Sequence, residues 1–356
     1  MKSYKEFIRE SKISIESICA NYRITNYTIN SDGSIDVDGN VYLSGLNLPI
    51  LPLKFRNVSG YFDCSYNKLT SLYGSPQNVG DRFDCQLNRL TSLEGGPQSV
   101  GGHFDCVDNK LTTLKGGPQS VGSYFDCSEN KLTSLEGAPR SVGEDFLCSS
   151  NKLTSLKGAP QSVNGNFDCC GNKLIRLKGG PQIVNGYFDC SDNKLISLEG
   201  APKVIGNDNY FDCQDNKLTS LVGGPESVGG DFNCNNNKLT TLKGSPKTVG
   251  GDFDCAENKL TSLQGAPHSV NSFNCQYNKL TTFDGAPEYI EKRILCNRNT
   301  VEEIYNLFNT PKCVRWINEF DVIHGDTVIM DRLEEVYHQL GMDIPEEIEL
   351  PSYQII

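Results

Sequence analysis

The chain has 356 residues, a formal net charge of −11 and 37% hydrophobic residues. That acidic balance argues against a general nucleic-acid binder, which leans on a basic face. No window reaches about 18 consecutive apolar residues, so no transmembrane helix is expected. The start, Met1-Lys2-Ser3-Tyr4, has no apolar run of the secretory type.

In chain order, the first eleven residues place Tyr4, Phe7 and Ile8 on one helical face, the pattern of a small amphipathic helix. Ser14 to Tyr22 reads as a second short helix. Tyr27 to Val37 reads as a hairpin turned by Ser31-Asp32-Gly33. Val41, Leu43, Leu48 and Leu51 then stand one period before Phe62, Cys64, Leu69 and Leu72, so a degenerate coil precedes the visible repeats. Residues 12–52 are therefore expected to form an α/β N-terminal cap.

Residues 53–299 repeat one motif at a period of about 21 residues, the signature of a solenoid. Its cysteines are Cys64, Cys85, Cys106, Cys127, Cys148, Cys169, Cys190, Cys213, Cys234, Cys255, Cys275 and Cys296. In the specimen coil Val58 to Val79, Phe62 and Cys64 alternate with Tyr61, Asp63 and Ser65, a short strand with one buried face. Asn67 and its equivalents follow each cysteine by three residues; an inward amide there can satisfy buried backbone groups. Leu69 and Leu72 point inward, and Gly74 and Pro76 carry the chain across the back on a polyproline-like path.

Adjacent parallel strands lie about 4.8 Å apart, within disulfide range. Yet the cysteines all share one inward column, where a thiol packs as a small hydrophobe. Fifteen cysteines without an export signal point to a reducing compartment, hence free thiols. There is no Cys-x-x-Cys pair, and the histidines (His103, His268, His324, His338) are scattered, so no zinc site and no cofactor are expected. Two coils break the period: Cys190 to Cys213 is longer through Gly206-Asn207-Asp208-Asn209, and Cys255 to Cys275 is shorter near Val270-Asn271-Ser272. Both changes fall in the turn entering a strand, where length is tolerated.

Past Cys296, Thr300-Val301-Glu302-Glu303 has the form of a capping box opening a helix. Further helices are expected over about Pro311 to Phe320 and Asp326 to Leu340, the last stopped by Gly341. Trp316, Phe320, Val328, Leu333, Val336 and Leu340 are the expected core of this helical cap, residues 300–356. Cys313, flanked by Val314 and Trp316, reads as a buried thiol and not a nucleophile, so no enzymatic site is expected.

Written as a template, the coil is Leu-x-x-Leu-x-Leu-x-x-Asn-x-Leu-x-x-Leu, with Phe and Cys in the strand leucine places. It resembles the leucine-rich repeat, and Asn88-Arg89-Leu90-Thr91-Ser92-Leu93 with its copies is similar to the short bacterial-effector subtype; Glu-Gly-Gly-Pro replaces that subtype's directly following Pro. The resemblance implies a β-rich superhelix of parallel strands with about 13 coils, capped at both ends, and an interaction scaffold without a named partner. The Phe-Asp-Cys-Ser-x-Asn-Lys-Leu-Thr repeats also resemble uncharacterised proteins of large tailed phages. Residues 1–11 resemble the capsid-targeting leader of internal head proteins in T-even-type phages. There a head protease cuts after an apolar-x-Glu triplet; Ile8-Arg9-Glu10 fits, which implies cleavage after Glu10 and a virion-head location. Without cleavage and packaging, the expected location is the host cytoplasm.

The outward strand residues should line a concave face. One column is acidic: Asp63, Asp84, Asp105, Asp126, Asp168, Asp189, Asp212 and Asp254. Unit charges at strand spacing repel by roughly 1 kcal/mol even in water, and the column Lys68, Arg89, Lys110, Lys131, Lys152, Lys173, Lys194, Lys217, Lys238, Lys259 and Lys279 is expected to offset it. Two readings stand: solvated ladders that keep the array soluble, or a polar surface for a basic protein partner or a cation. The column two residues earlier varies (Tyr61, Arg82, His103, Tyr124, Asp145, Asn166, Tyr187, Tyr210, Asp231, Asp252, Ser272, Arg293), as a contact surface must. Exposed tyrosines anchor interfaces, so Tyr187 and Tyr210, expected neighbours, and Tyr124 are the first binding candidates. The partner read from this is a host or virion protein.

Overall fold

A chain that repeats Phe-x-Cys and Leu-x-x-Leu at a fixed step can bury those side chains only against its own preceding and following copies. The computed structural model, which describes residues 14–356, shows this packing. The leader-like segment and Glu10 lie outside the described residues. The chain divides into two units, Met1–Lys173 and Leu174–Ile356, both built from the same coil.

Each coil contributes a short strand such as Phe104–Asp105, which pairs in parallel with the equivalent strand one coil away, Phe104 opposite Phe125 and Asp105 opposite Asp126. Among the described residues the first unit has seven such strands, from Val41–Tyr42 to Phe167–Asp168, and the second has six, from Phe188–Asp189 to Tyr289–Leu295. Beneath them the phenylalanines stack, with ring centroids 5.2 Å apart for Phe83 and Phe104 and 5.3 Å for Phe188 and Phe211. Phe104, Cys106, Leu111 and Leu114 are fully buried, and their equivalents form the core of every coil. Each phenylalanine or leucine removed from water in this way stabilises by about 1.5–3 kcal/mol. The leucine-rich-repeat solenoid is thus the fold.

The back of the coil differs from the expected open path. Ser-Val pairs such as Ser120–Val121 form a second parallel ladder, Val121 opposite Val100 and Val142. Only the valine faces inward. Gly116, in the turn before this strand, has φ +87°, and a Cβ there would sit 2.5 Å from the Glu94 Cα of the preceding coil. In the short coil the turn between the two ladders is gone, and Ser269–Asn274 runs through as one strand. In the long coil the added residues bulge, held by the Asn209 amide donating to the Asn185 and Asn207 carbonyls.

The asparagine column is buried and works across coils. Asn88 donates to the carbonyls of Cys64, Cys85 and Gln86 and accepts from the Leu69 N–H at 2.9 Å. It closes the backbone of the preceding coil as well as its own. The residue before each asparagine pays for this turn with a left-handed backbone: Tyr66, Leu87, Asp108, Glu129 and Ser150 have φ near +50° (53°, 52°, 48°, 55° and 52°), and Gly171 fills the place at +64°.

At the N-terminal end, α1 (Ile15–Asn21) is capped by the Ser14 side chain. The hairpin pairs Tyr27–Ile29 with Ile35–Val37, and the latter strand continues the second ladder against Phe55–Val58. At the C-terminal end lie α2 (Glu302–Phe308), α3 (Lys312–Glu319) and α4 (Met330–Leu340). The expected capping box does not form. Glu303 instead binds the N–H and hydroxyl of Ser352, and Glu302 reaches back to the Arg298 N–H. Helix α4 starts later than the expected Asp326, because Ile323–His324 and Thr327–Val328 first form a hairpin around Gly325. Trp316, Phe320 and Leu340 are only half-buried; Cys313, Val314, Ile317 and Val322 fill the cap core beside Val328, Leu333 and Val336.

Candidate functional site

Along each strand, alternate side chains leave the core, so the residues flanking Phe and the one after Cys form an outward strand face. The aspartates sit there half-buried, and their geometry corrects the expectation that a lysine column neutralises them. Each turns one carboxylate oxygen onto the backbone N–H two residues ahead: Asp105 to Val107 at 2.9 Å, Asp126 to Ser128 at 2.9 Å, Asp212 to Gln214 at 2.9 Å. Asp63, Asp84, Asp168, Asp189 and Asp254 do the same. The aspartates thus cap the turn off the strand. Asn233 and Asn274 occupy the same column and cap Asn235 and Gln276 at 3.2 Å, so the cap uses the oxygen and not the charge, and Leu147 shows that a coil can form without it.

The charges are managed locally. Burial pushes the carboxyl of Asp105 up to about 7, against the Val107 N–H bond that favours the anion, with Asp84 and Asp126 adding to the rise. Burial likewise raises Asp212 to about 6, and raises Asp84 and Asp126. Neutral amides bridge neighbours: Asn233 donates to Asp212, Asn274 to Asp254 and Gln86 to Asp84. Lys68, Lys110 and Lys131 are exposed. Among the described residues, lysine ion pairs join other positions: Lys54 with Asp32 at 2.6 Å, and Lys115 with Glu94 and Lys157 with Glu136 at 2.7 Å, all on the surface.

The variable column is organised more than its composition suggests. In the first unit the Arg82 guanidinium lies 4.4 Å above the Tyr61 ring, and His103 stacks on Tyr124 with centroids 4.4 Å apart and planes 8° from parallel. In the second unit Tyr187 and Tyr210 stack at 4.6 Å and 8°, the expected neighbours. Burial and the flanking Asp105 raise the Tyr124 hydroxyl to about 12. Where the column holds Asp145 or Asp231, one oxygen accepts the backbone N–H of the next coil, Asn166 or Asp252, each at 2.7 Å. The following coil then carries a glycine, Gly165 or Gly251, because a Cβ there would lie 2.1 Å from that oxygen. Asn40, Tyr61 and Gly60 show the same arrangement. In the shortened coil Asp252 accepts from the Ser272 N–H in the same way, with Asn271 in the glycine's place.

A second feature was missed. Ile175 and Ile196 stand where other coils have threonine, and Ile183 and Val204 where they have serine, asparagine, threonine or, at the last coil, Tyr289. All four are exposed, at 49%, 49%, 58% and 60%. They fall in two of three successive coils, of which the second carries Tyr187 and the third the inserted residues and Tyr210. A cleft of about 720 Å³ lies elsewhere in this unit, lined by Tyr289, Ile290, Arg315 and Trp316 among others.

The cysteines of the column are buried, and no disulfide joins them. Its thiols donate weakly to strand carbonyls, Cys106 to Asp126 at 3.2 Å and Cys234 to Asp254 at 3.2 Å. Burial raises each of these thiols well above the ordinary range, and that of Cys313 too. Such thiols are poor nucleophiles. No helix among the described residues is long and apolar enough to cross a membrane.

No family model matches the chain, and no curated protein matches it. Several solved structures are similar, two of them YopM proteins. One is YopM from Yersinia enterocolitica WA-314, 22% identical, with a TM-score of 0.48 over 73% of this chain and 64% of that one. The other is YopM from Yersinia pestis, described as a leucine-rich effector protein, 16% identical, with a TM-score of 0.38 over 72% of this chain and 88% of that one. The match spans less than two thirds of the first structure's length.

Proposed function

We propose that this protein is a non-enzymatic, protein-binding scaffold whose strand face engages a host or virion protein. The observation that carries the reading is the contrast between columns. Phe, Cys, Asn and Leu repeat because the coil requires them, whereas Tyr61 to Arg293 vary over that constant frame. Tyr124 and the Tyr187–Tyr210 pair present stacked, half-exposed rings on that face, and such rings are preferred interface anchors. The exposed isoleucines and valine of this stretch, Ile175 to Val204, add apolar contact area beyond the needs of the fold.

The resemblance of the repeats to tailed-phage proteins supports a phage origin and a site of action in the host cytoplasm. Ile8-Arg9-Glu10 favours a second reading, a head-packaged virion component trimmed after Glu10. Affinity capture from host lysate and infected cells, beside the Tyr187→Ala/Tyr210→Ala variant, separates them when combined with intact-mass analysis. One host protein lost in the variant supports the scaffold. Recovery of head proteins alone, with the mass reduced by residues 1–10, replaces it with the virion component.

A further inference from the structure

We propose that the strand face of the first unit recognises an arginine side chain of its protein partner, stacked on the Tyr124 ring face turned toward Asp145. This deepens the protein-scaffold reading and rests on it.

The column itself supplies the precedent. Arg82 lies over Tyr61 with its guanidinium carbon 4.4 Å from the ring centre, so the step between coils, about 4.8 Å, suits a guanidinium on a phenol ring. Tyr124 is stacked through one face on His103. Because the rings lie parallel and succeed one another along the column, the other face of Tyr124 is turned toward the next coil. There the column holds Asp145. A carboxylate on a single methylene is too short to cover a ring, and the ring contact recorded for Tyr124 is with His103 alone among the described residues.

The surroundings of that face are anionic. Asp126 leaves the same strand on the same side as Tyr124, Asp145 follows in the column, and Glu144 is beside it, bonded to Ser123. Asp145 spends one oxygen on the Asn166 N–H, and its other oxygen accepts no hydrogen bond among the described residues. A cation seated on Tyr124 would gain the ring quadrupole and two carboxylates. It would also offset the repulsion between Asp105 and Asp126, which burial intensifies. A guanidinium fits better than an ammonium, since it is planar, more weakly hydrated and able to stack while donating in its plane. The second unit repeats the succession, with Tyr187, Tyr210 and then Asp231 in the column beside Asp212.

The test uses the full chain and two fluorescein-labelled peptides, one with arginines spaced by Gly-Ser and one with citrulline, the neutral isostere, in their place. Fluorescence anisotropy at low salt should show the arginine peptide binding about tenfold or more tightly. Asp145→Asn keeps the oxygen that caps Asn166, as Asn40 does for Tyr61, and should weaken the arginine peptide by about fivefold; Tyr124→Leu, at a position that elsewhere holds Asp, Asn or Ser, should do the same. Equal binding of the two peptides, or arginine binding unchanged in both variants, overturns the proposal. Should that happen while capture of a partner still fails in the Tyr187→Ala/Tyr210→Ala variant, the face binds protein by other chemistry and the scaffold reading survives.

Discussion

The aspartates of the strand face show how a residue's charge can mislead when its oxygen is what the fold uses. Asp105 caps Val107, and its carboxyl is pushed by burial up to about 7, against about 3.9 in an unfolded chain. Between those values the folded state holds a proton that the unfolded state has released. The stability tied to Asp105 is therefore present at low pH and falls as pH rises from about 4 to about 7. Asp105→Asn keeps the cap, as Asn233 does in its own coil, and removes the titration. The variant should be more stable than the parent at pH 8, with the gap closing toward pH 4; urea unfolding at the two pH values checks this, and a variant less stable at pH 8 contradicts it. A second residue-scale cost lies before each asparagine. Glu129 is exposed with φ +55°, a conformation that costs a non-glycine residue about 1–2 kcal/mol, while Gly171 occupies the same turn at +64°. After the entropy that glycine loses on folding, Glu129→Gly should raise stability by up to about 1 kcal/mol in denaturant titration.

At the scale of the element, the coil is held by one side chain that serves two turns. Asn130 donates to Cys106, Cys127 and Ser128 carbonyls and accepts from the Leu111 N–H. Replacing it with alanine strands buried backbone groups at about 1–3 kcal/mol each. Asn130→Ala should therefore cost at least about 3 kcal/mol, whereas Lys131→Ala next to it, exposed, should cost less than about 0.5 kcal/mol. Equal losses in the two variants would remove the asparagine from this role. The strand, the inward asparagine and the two leucines were legible because each repeats with a strict inside–outside alternation. The second ladder was not, because Ser120–Val121 and its copies are too short to show a period and sit just after Gly and Pro. The late start of α4 escaped for a similar reason, the hairpin of Ile323–His324 and Thr327–Val328 being two residues a side. On the candidate site, the Tyr187–Tyr210 neighbourhood followed from register alone. The use of Asp oxygens as caps did not, since Asp looks like charge until Asn233 and Asn274 are seen doing the same work.

For the molecule as a whole, cohesion comes from repetition of one buried set. The thiol column belongs to the buried set. Of the fifteen cysteines only Cys170 is not buried, so the native chain should take up no more than about one equivalent of a thiol reagent, and all of its cysteines should react once unfolded. Several equivalents reacting in the native state would mean that the coils open. The outward columns then carry the central claim, that the strand face and not the second ladder meets the partner. The direct measurement places a photocrosslinking amino acid at Tyr124 or Tyr210 on the strand face, and at Ser141 or Thr248 on the outward side of the second ladder. Irradiation in cells containing the partner should give the same covalent adduct from positions 124 and 210 and none from 141 and 248. Adducts from the second ladder alone would contradict the account.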